Sequence, residues 1–596
     1  MRKLLTVILV MSVLSNASAP ASAQTSARQL SADETERERR VESLIKQMTL
    51  EEKIDLLGGV DGFFVRGVER LGVPRLKMAD GPGGVRNYGP ATAMPSGIAL
   101  AAAWNPELAE RVGTEIGRDA RAKGVHFLLG PGANIYRAPM NGRNFEYLGE
   151  DPFLAARTAV GYIRGVQSQG VAATIKHYMG NNSEFDRHKT DSTIDERTMR
   201  EIYLPAFEAA VKEARVGAIM SSYNLVNGEH ASQNKRLLTD IAKEDWGFEG
   251  VMMSDWFATY DGVAAANAGQ DLEMPAGAHM NRAKLMPAIE QGKLTVATID
   301  DKVRRILRTA ARFGWLEREQ TDLSVPRFNQ QGRRVALEAA REGIVLLKND
   351  RGLLPLDKTK LKTVAIIGPV AYPAVPMGGG SGQVQPFNAT SILEGLSNAL
   401  GANANVTYHR GLPTHGEMAD ATHFATDERN GAPGLKAEYF DNPELRGTPV
   451  LTRTERTVNF RRAPRGIVGE QSVEFPSNTV AERWTGYFLP RTAGEEYHFF
   501  VESTGEDGGS FRLFVDDKLL LDNWTTNPAI VNYATLALQG RPYKVVLEHK
   551  GRSQWLGGRL RFGVVPRARV VSPQAKELAA RADAVVVAVG FDPETE

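Results

Sequence analysis

The chain has 596 residues and a mass of 65.1 kDa, enough for several domains. Hydrophobic residues make up 42% and charged residues 24%, and a formal net charge of +1 argues against nucleic acid or an anionic membrane as a partner. Cysteine is absent, which excludes disulfides, thiolate nucleophiles and cysteine-based metal sites.

The first 23 residues have the three parts of a secretory signal peptide. Arg2 and Lys3 precede an apolar run at 4–14, and small residues at 21–23 place the cleavage site after Ala23. We therefore expect export to the periplasm or the extracellular space, with residues 24–33 as a polar linker. No second run of about 20 apolar residues follows, so no membrane insertion is expected.

Residues 34–315 alternate between short apolar runs and stretches with helical periodicity. The apolar runs occur at 76–79, 126–129, 171–175, 218–220 and 251–254, and each ends in glycine or polar residues. Alternation at this interval predicts a parallel α/β architecture. With polar groups at successive strand ends and no dinucleotide fingerprint, it favours a (β/α)8-type barrel over a doubly wound sheet.

A polar, proline-containing linker at 316–330 leads into a second α/β unit, an α/β sandwich domain whose first part is 331–430. It opens with a predicted helix at 333–348 and a strand at 363–367. The glycine-rich segment 378–382 lacks the Lys-Ser/Thr of a phosphate-binding P-loop, so we interpret it as a loop reaching over a neighbouring site.

The sequence pattern changes at 431–565, where short aromatic and β-branched runs alternate with turn residues. This pattern is typical of an all-β sandwich, here inserted into the second α/β domain. The α/β pattern resumes at 566–596 with a predicted helix at 575–581 and a strand at 584–589. Because the sequence stops a few residues after a central-looking strand, we expect it to be a fragment of a longer protein.

The polar residues near the strand ends form a mixed set of carboxylates and donors. They are Asp80, Arg86, Arg143, Lys176, His177, Arg187, Tyr223 and Asp255. With Trp256 as a flat apolar wall, such a set suits a sugar, whose hydroxyls take charge-assisted hydrogen bonds. Glycoside cleavage with retention needs two carboxyl groups about 5–5.5 Å apart. Asp255 suits the nucleophile, because the nearby cations would keep it ionised.

Each of these residues also has a simpler interpretation. Asp255 could be a helix cap and Asp80 a turn residue, while Arg143 and Arg187 would be surface charges by base rate. His177 as a metal ligand is disfavoured, since no second histidine stands at metal-binding spacing and HExxH is absent. We therefore expect neither a metal nor an organic cofactor.

Five motifs, in matching order and spacing, make the sequence similar to glycoside hydrolase family 3 in its β-glucosidase branch. They are DGPGGVR at 80–86, GRNFE at 142–146, KHY at 176–178, SYN at 222–224 and SDW at 254–256. The resemblance implies that Asp255 is the nucleophile and that the subsite of the non-reducing sugar is lined by Asp80, Arg143, Lys176, His177 and Tyr223. Arg86, Arg187, Met220 and Trp256 fall on matching positions, Ser381 would reach in from the second domain, and the β-rich stretch looks like a protective-antigen-type insert.

The resemblance also implies a glutamate that serves as acid and base in a Glu-Gly-x-Asp-Arg-like segment of the second domain. This sequence ends before any such segment. Glu596 is either that glutamate or the first member of a Glu-x-Glu pair.

The sequence therefore predicts a retaining exo-β-glycosidase, a β-glucosidase acting on small β-glucosides or oligosaccharides. A β-xylosidase, a catalytically dead carbohydrate-binding protein and a glucan-tethering β-sandwich are the alternatives. The branch specific for N-acetylglucosamine is disfavoured, because its Lys-His-Phe-Pro-Gly-His-Gly-like loop is replaced by KHYMGNN at 176–182.

Overall fold

The computed structural model describes residues 31–429, 431–461, 479–504, 509–525, 530–551 and 559–592. The predicted signal peptide and Glu596 lie outside these residues. None of the helices in the described ranges is both long enough and apolar enough to span a bilayer.

The first two helices begin at capping boxes, in which a hydroxyl and a glutamate exchange hydrogen bonds with the backbone. Helix α1 (Ala32–Gln47) starts after Ser31, and α2 (Leu50–Leu56) starts after Thr49. The periodic stretch 34–57 therefore forms two helices, because Thr49 caps a new one.

The remaining elements of the first α/β unit alternate between strands and helices. Its strands are β1 (Gly59–Val60), β2 (Phe64–Val65), β3 (Leu76–Asp80), β4 (Phe127–Leu129), β5 (Ala172–Tyr178), β6 (Asp191–Ser192), β7 (Ala218–Ser221), β8 (Leu225–Val226), β9 (Glu229–His230) and β10 (Val251–Ser254). Its helices are α3 (Gly97–Ala102), α4 (Pro106–Ala122), α5 (Pro152–Ser168), α6 (Glu196–Thr198), α7 (Pro205–Lys212), α8 (Gly262–Ala268), α9 (Arg282–Glu290) and α10 (Val296–Arg312). Short 3-10 turns lie at Glu69–Leu71, Asn144–Glu146 and Ala231–Gln233, and π-helical segments at Met199–Tyr203 and Arg236–Asp245.

Seven of these strands form one curled sheet in the order β1-β2-β3-β4-β5-β7-β10. Within this sheet β3, β4, β5, β7 and β10 run parallel, whereas β2 is antiparallel to both its neighbours. Isolated bridges join Leu272 to Met253 and Glu273 to Gly58, which connects the two edges of the sheet.

The predicted α/β architecture is confirmed, but its eightfold regularity is not. Asp61 and Gly62 both take positive φ angles, 51° and 77°, and turn the chain back as a hairpin between β1 and β2. A hairpin leaves no room for a crossover helix, so the first strands of the sheet depart from the repeating βα unit.

Alternate strand residues enter two different cores. Met78, Phe127, Met220 and Met253 belong to the cluster that also receives α1, α2 and α10, while their neighbours in sequence face α4, α5 and α7. Successive side chains of a strand point to opposite faces. The polar residues Asp80, Lys176 and Asp255 share the parity of the first set, so they continue the inner face beyond its apolar part.

The second unit begins with α11 (Gln330–Glu342), β11 (Thr363–Ile367), α12 (Ile392–Leu400), β12 (Asn405–His409) and α13 (His415–Asp420), with 3-10 turns at Asp350–Gly352, Pro369–Ala371, Gly380–Gly382 and Gly401–Asn403. The helix predicted at 333–348 ends at Glu342, where the Gly343 amide donates to the Ala339 carbonyl. Strand β11 lies where the sequence predicted it.

Antiparallel strands then replace the α/β pattern. They are β13 (Phe424–Ala425), β14 (Leu435–Phe440), β15 (Leu451–Glu455), β16 (Val458–Arg461), β17 (Ala481–Phe488), β18 (Glu495–Thr504), β19 (Ser510–Val515), β20 (Lys518–Asp522), β21 (Ile530–Leu538), β22 (Tyr543–Lys550) and β23 (Arg559–Pro566). One sheet has the order β15-β14-β17-β22-β19-β20, with β13 on β17, and the other β16-β23-β18-β21. A single buried cluster takes side chains from both sheets, Trp484 from one and Phe499 from the other among them.

The last described elements are α14 (Arg567–Val570), α15 (Pro573–Arg581) and β24 (Ala584–Val587). Strand β24 pairs in parallel with β11 on the side opposite β12. In the sequence, the antiparallel strands therefore lie between two strands of one parallel sheet.

Candidate active site

The carboxyl ends of the parallel strands bring the predicted site residues together. Asp80 ends β3, Lys176 and His177 lie in β5, and Asp255 directly follows β10. All four are at least nine-tenths buried. Parallel strands end at one edge of a sheet, so residues far apart in sequence meet there.

Asp255 has one oxygen held and one oxygen open. Its Oδ1 accepts from the Tyr223 hydroxyl at 2.9 Å and from the Trp256 amide at 2.6 Å. Its Oδ2 has no hydrogen-bond partner among the described residues, and lies 3.5 Å from His177 Nε2 and 3.9 Å from Arg143 Nη1. A carboxylate fixed through one oxygen presents the other to a ligand in a defined direction.

His177 is neutral and clamped from behind. Burial first, and then the Arg143 and Lys176 cations, lower its pKa well below the usual range. Asn134 holds its backbone on both sides, donating to its carbonyl at 2.9 Å and accepting from its amide at 2.8 Å. In the described part of the chain His177 Nε2 has no hydrogen-bond partner either. These two polar atoms lie 3.5 Å apart, so a ligand hydroxyl beside them could form hydrogen bonds with both.

Glu146, which the sequence analysis did not single out, organises the cations of the site. Its side chain is 2% exposed, contacts Arg143 Nε, and lies 3.4 Å from Lys176 Nζ. Burial by itself raises the pKa of Glu146, but Arg143 and Lys176 outweigh it and hold the pKa below its usual range. Glu146 is therefore ionised, and its charge balances the two buried cations.

Asp80 and Arg86 form a second pair at the edge of the site. Arg86 Nη1 donates to Asp80 Oδ2 at 2.8 Å, and the Asp80 amide donates to Asn87 Oδ1. Burial raises the pKa of Asp80, although Lys176 and Arg86 oppose that effect.

The remaining predicted residues of the first unit lie around these groups. Arg187 donates to Glu184 at 2.7 Å, and its guanidinium lies 4.0 Å from the centre of the Tyr223 ring. Trp256 is partly buried and packs against Phe63 with ring centres 5.0 Å apart. Met220 is paired in register with Met253 and is buried in the inner core, so it underlies the polar residues.

Ser381 reaches the site from the second unit, as predicted for the glycine-rich loop. It accepts from Arg143 Nη2 at 3.0 Å, and its hydroxyl donates to Glu146 Oε2 at 3.3 Å. A backbone bond from the Ala91 amide to the Gln385 carbonyl ties the same loop to the first unit.

Sequence reasoning missed the residues that orient the others, above all Asn134, Glu146 and Tyr147. Asn134 follows β4 in a glycine- and proline-rich turn, the strand-end position that identified Lys176. Tyr147, whose hydroxyl lies 3.4 Å from His177 Nδ1, gives no such signal. Among the residues placed by the structure, no three His, Asp or Glu side chains are grouped to hold a metal ion.

Known proteins are similar to this chain over most of its length. The family model described as the glycosyl hydrolase family 3 N terminal domain matches residues 41–309, and the model of that family's C-terminal domain matches residues 344–596. A β-glucosidase of Rhizobium radiobacter is 39% identical over 582 residues, which is 93% of this chain and 68% of the relative. A thermostable β-glucosidase B of Acetivibrio thermocellus is 42% identical, over 64% of this chain and 51% of the relative.

Solved structures give the same result. A β-glucosidase from Streptomyces venezuelae in complex with D-glucose aligns with a TM-score of 0.68 at 30% identity, covering 93% of this chain and 68% of that one. A β-glucosidase from Kluyveromyces marxianus in complex with glucose aligns with a TM-score of 0.65 at 31% identity, covering 93% and 69%.

Proposed function

The chain belongs to glycoside hydrolase family 3, and on that premise we propose that it removes terminal non-reducing β-D-glucosyl residues with retention of configuration. It is a glycoside hydrolase by that membership. The observation that carries the proposal is Asp255, a buried carboxylate with one oxygen fixed by Tyr223 and the other open beside His177. The relatives named β-glucosidases and the solved structures holding glucose support β-glucosides as substrates.

In the proposed first step Asp255 Oδ2 forms a bond to the anomeric carbon while the bond to the leaving oxygen breaks. A glutamate of the second α/β domain gives the leaving oxygen its proton. In the second step it takes a proton from a water whose oxygen bonds to the anomeric carbon while the bond from that carbon to Asp255 Oδ2 breaks. The Arg143 guanidinium lies 3.9 Å from Oδ2, so a cation faces the attacking oxygen. The Tyr223 hydroxyl and the Trp256 amide hold Oδ1 in place throughout.

The sugar would be recognised by polar groups already aimed at the site. Asp80, Lys176 and His177 offer an acceptor, a cation and a neutral ring nitrogen within a buried pocket edge. Charge-assisted hydrogen bonds to sugar hydroxyls account for such a mixture of charges. Trp256 and Phe63 provide the apolar wall for the ring face.

The first experiment compares hydrolysis of aryl β-glucoside and β-xyloside by the wild-type protein and by Asp255→Ala. We expect the glucoside to be preferred and the substitution to reduce kcat by about four orders of magnitude. Asp357→Ala, an exposed turn residue of the second domain, is the matched control and should be unchanged.

Two results would redirect the proposal. Preference for the xyloside would make the protein a β-xylosidase. Binding of glucose without cleavage of any β-glycoside would leave a carbohydrate-binding protein on a hydrolase scaffold.

The proton donor is proposed to be a glutamate of the second domain, with Glu596 as the candidate. The contacts of Ser381 with Arg143 and Glu146 support a catalytic contribution from that domain. Glu596→Gln should slow cleavage of substrates with poor leaving groups and spare dinitrophenyl glucosides, because dinitrophenolate leaves without a proton. If Glu596→Gln cleaves both kinds of substrate at the wild-type rate, the role belongs to another glutamate.

Export and the inserted domain are parts of the same proposal. We propose that the signal peptide is removed after Ala23, which N-terminal sequencing of the exported protein tests. The β-rich segment at 431–565 is proposed as a protective-antigen-type sandwich inserted into the second α/β domain; its position between β11 and β24 supports this. Retention of the protein on insoluble glucan would add a tethering role to that domain.

A further inference from the structure

We propose that Tyr260 is a positioning residue, which holds Tyr223 from behind and so sets the direction in which Asp255 presents its open oxygen. The inference rests on the proposed function. It adds to it a residue that neither the sequence motifs nor the comparisons single out.

Tyr223 is held at three places. Its hydroxyl donates to Asp255 Oδ1 at 2.9 Å, and its ring lies between the Arg187 guanidinium, 4.0 Å from its centre, and the His188 ring, 4.7 Å away. Its backbone carbonyl accepts from the Tyr260 hydroxyl at 3.1 Å, and His230 Nδ1 lies 3.4 Å from the same oxygen. Hydroxyl, ring and backbone are each fixed by a different partner, so the hydroxyl cannot move away from Asp255 unless one of those contacts breaks.

The hydrogen-bond directions follow from counting protons. The Tyr223 carbonyl can only accept, so it takes the single hydroxyl proton of Tyr260. His188 Nδ1, 2.9 Å from the same hydroxyl, must then carry its own proton and donate. Tyr260 thus links His188 to the backbone of Tyr223, and burial raises the Tyr260 pKa, so the hydroxyl keeps its proton.

Tyr260 itself is held on both sides. Its ring stacks on His230 with centres 3.7 Å apart and planes at 23°. Gln233 Oε1 accepts from the backbone amides of Tyr260 and Asp261, at 3.1 and 2.8 Å. Asp261 also caps α8. The segment 255–261 is therefore fixed at its far end, where the Tyr260 hydroxyl contacts the backbone of Tyr223.

Loss of the Tyr260 hydroxyl should act on Asp255 mainly through Tyr223, whose backbone carbonyl that hydroxyl holds. A looser Tyr223 would hold Asp255 Oδ1 less firmly, so the open oxygen Oδ2 would lie in the reactive direction for a smaller fraction of the time. The other groups that face Asp255 are Arg143, His177 and Arg187, and of these Arg187 also interacts electrostatically with Tyr260.

The test is Tyr260→Phe in the full chain, which keeps the stacked ring and removes the hydroxyl. The probe is 2,4-dinitrophenyl 2-deoxy-2-fluoro-β-glucoside: Asp255 Oδ2 bonds to the anomeric carbon, and dinitrophenolate leaves with the bonding electron pair. No proton donor is needed, so the rate of covalent labelling reports the nucleophile by itself. Tyr408→Phe is the matched control, since the Tyr408 hydroxyl also donates to a backbone carbonyl, that of Tyr372 at 3.0 Å in the second domain.

We expect Tyr260→Phe to label Asp255 about 3- to 10-fold more slowly, the loss typical of one hydrogen bond. Glucose affinity should be unchanged, and Tyr408→Phe should behave as wild type. In a Tyr223→Phe background the Tyr260 substitution should have no further effect, because the two act as one unit.

A wild-type labelling rate in Tyr260→Phe would overturn the inference, as would effects additive with those of Tyr223→Phe. A wild-type protein that is never labelled and cleaves no β-glycoside would instead overturn the proposed function, and this inference with it.

Discussion

At the scale of single residues, the site depends on a balance of buried charges. Arg143 and Lys176 are cations at the strand ends, and Glu146 and Asp255 are the carboxylates beside them. Glu146 contacts both cations, whereas Asp255 touches neither closely. This division leaves one carboxylate saturated and the other open, which is what a nucleophile requires.

Glu146→Gln should disrupt that balance. Two buried cations would lose their partner, so we expect a loss of about 3–5 kcal/mol in the free energy of unfolding, together with lower kcat/KM. Urea unfolding and kinetics measure the two effects. Glu36→Gln is the matched control, since Glu36 pairs with Arg39 at the same three-residue spacing on an exposed surface and should give no measurable change. If Glu146→Gln were as stable as Glu36→Gln, Glu146 would not be needed to balance the two buried cations.

At the scale of elements, the strand ends position the site, and helix α10 carries a buried lysine, Lys302. Lys302 of α10 is 2% exposed and shares Asp271 with Lys243, which lies 2.7 Å from the carboxylate, against 3.9 Å for Lys302. Burial first, and then the Lys243 cation, lower the pKa of Lys302 to about 8. Lys302 is thus a second buried cation beside Asp271, and that one carboxylate does not compensate the burial of both lysines.

Lys302→Met should leave the protein as stable or more stable at pH 7. A lysine whose pKa is lower in the folded state than in the unfolded chain, where it is about 10.4, makes the wild type less stable when it is protonated. The wild type should therefore gain stability between pH 8 and 10.4, by roughly 3 kcal/mol at most relative to the variant. Denaturant unfolding at pH 7 and pH 10 checks this. A variant equally destabilised at both values would show that Lys302 is needed for packing.

At the scale of the whole molecule, the two α/β units share one site. Ser381 of the second unit contacts Arg143 and Glu146 of the first, and the loop around it is tied by the Ala91–Gln385 backbone bond. The charged residues around the nucleophile are therefore in direct contact with the second unit.

Ser381→Ala should separate activity from stability. It removes two hydrogen bonds between the units, so we expect kcat/KM to fall about 3- to 10-fold with little change in Tm. Ser391→Ala in the same unit should do the reverse, because Ser391 caps α12 and its loss costs about 1 kcal/mol of stability without touching the site. Parallel effects of the two variants on both readouts would argue against a direct role for Ser381.

Much of this organisation was legible in the residues themselves. Apolar runs bounded by polar residues located β3, β5, β7 and β10, and with them Asp80, Lys176 and Asp255, because a buried parallel strand is apolar along its whole length. The family motifs in matching order identified the enzyme class. Aromatic and β-branched alternation predicted strands within 431–565, where most of the antiparallel strands lie.

Only the tertiary structure decided how those residues act on one another. That Glu146 reaches Lys176 as well as the nearby Arg143, and that Tyr260 holds Tyr223, depends on side chains from separate segments meeting in space. The hairpin at Asp61 and Gly62 likewise broke the eightfold repeat. Sequence patterns encode which face of an element is buried, since burial acts on each residue separately, whereas partners across the site are set by the closure of the sheet.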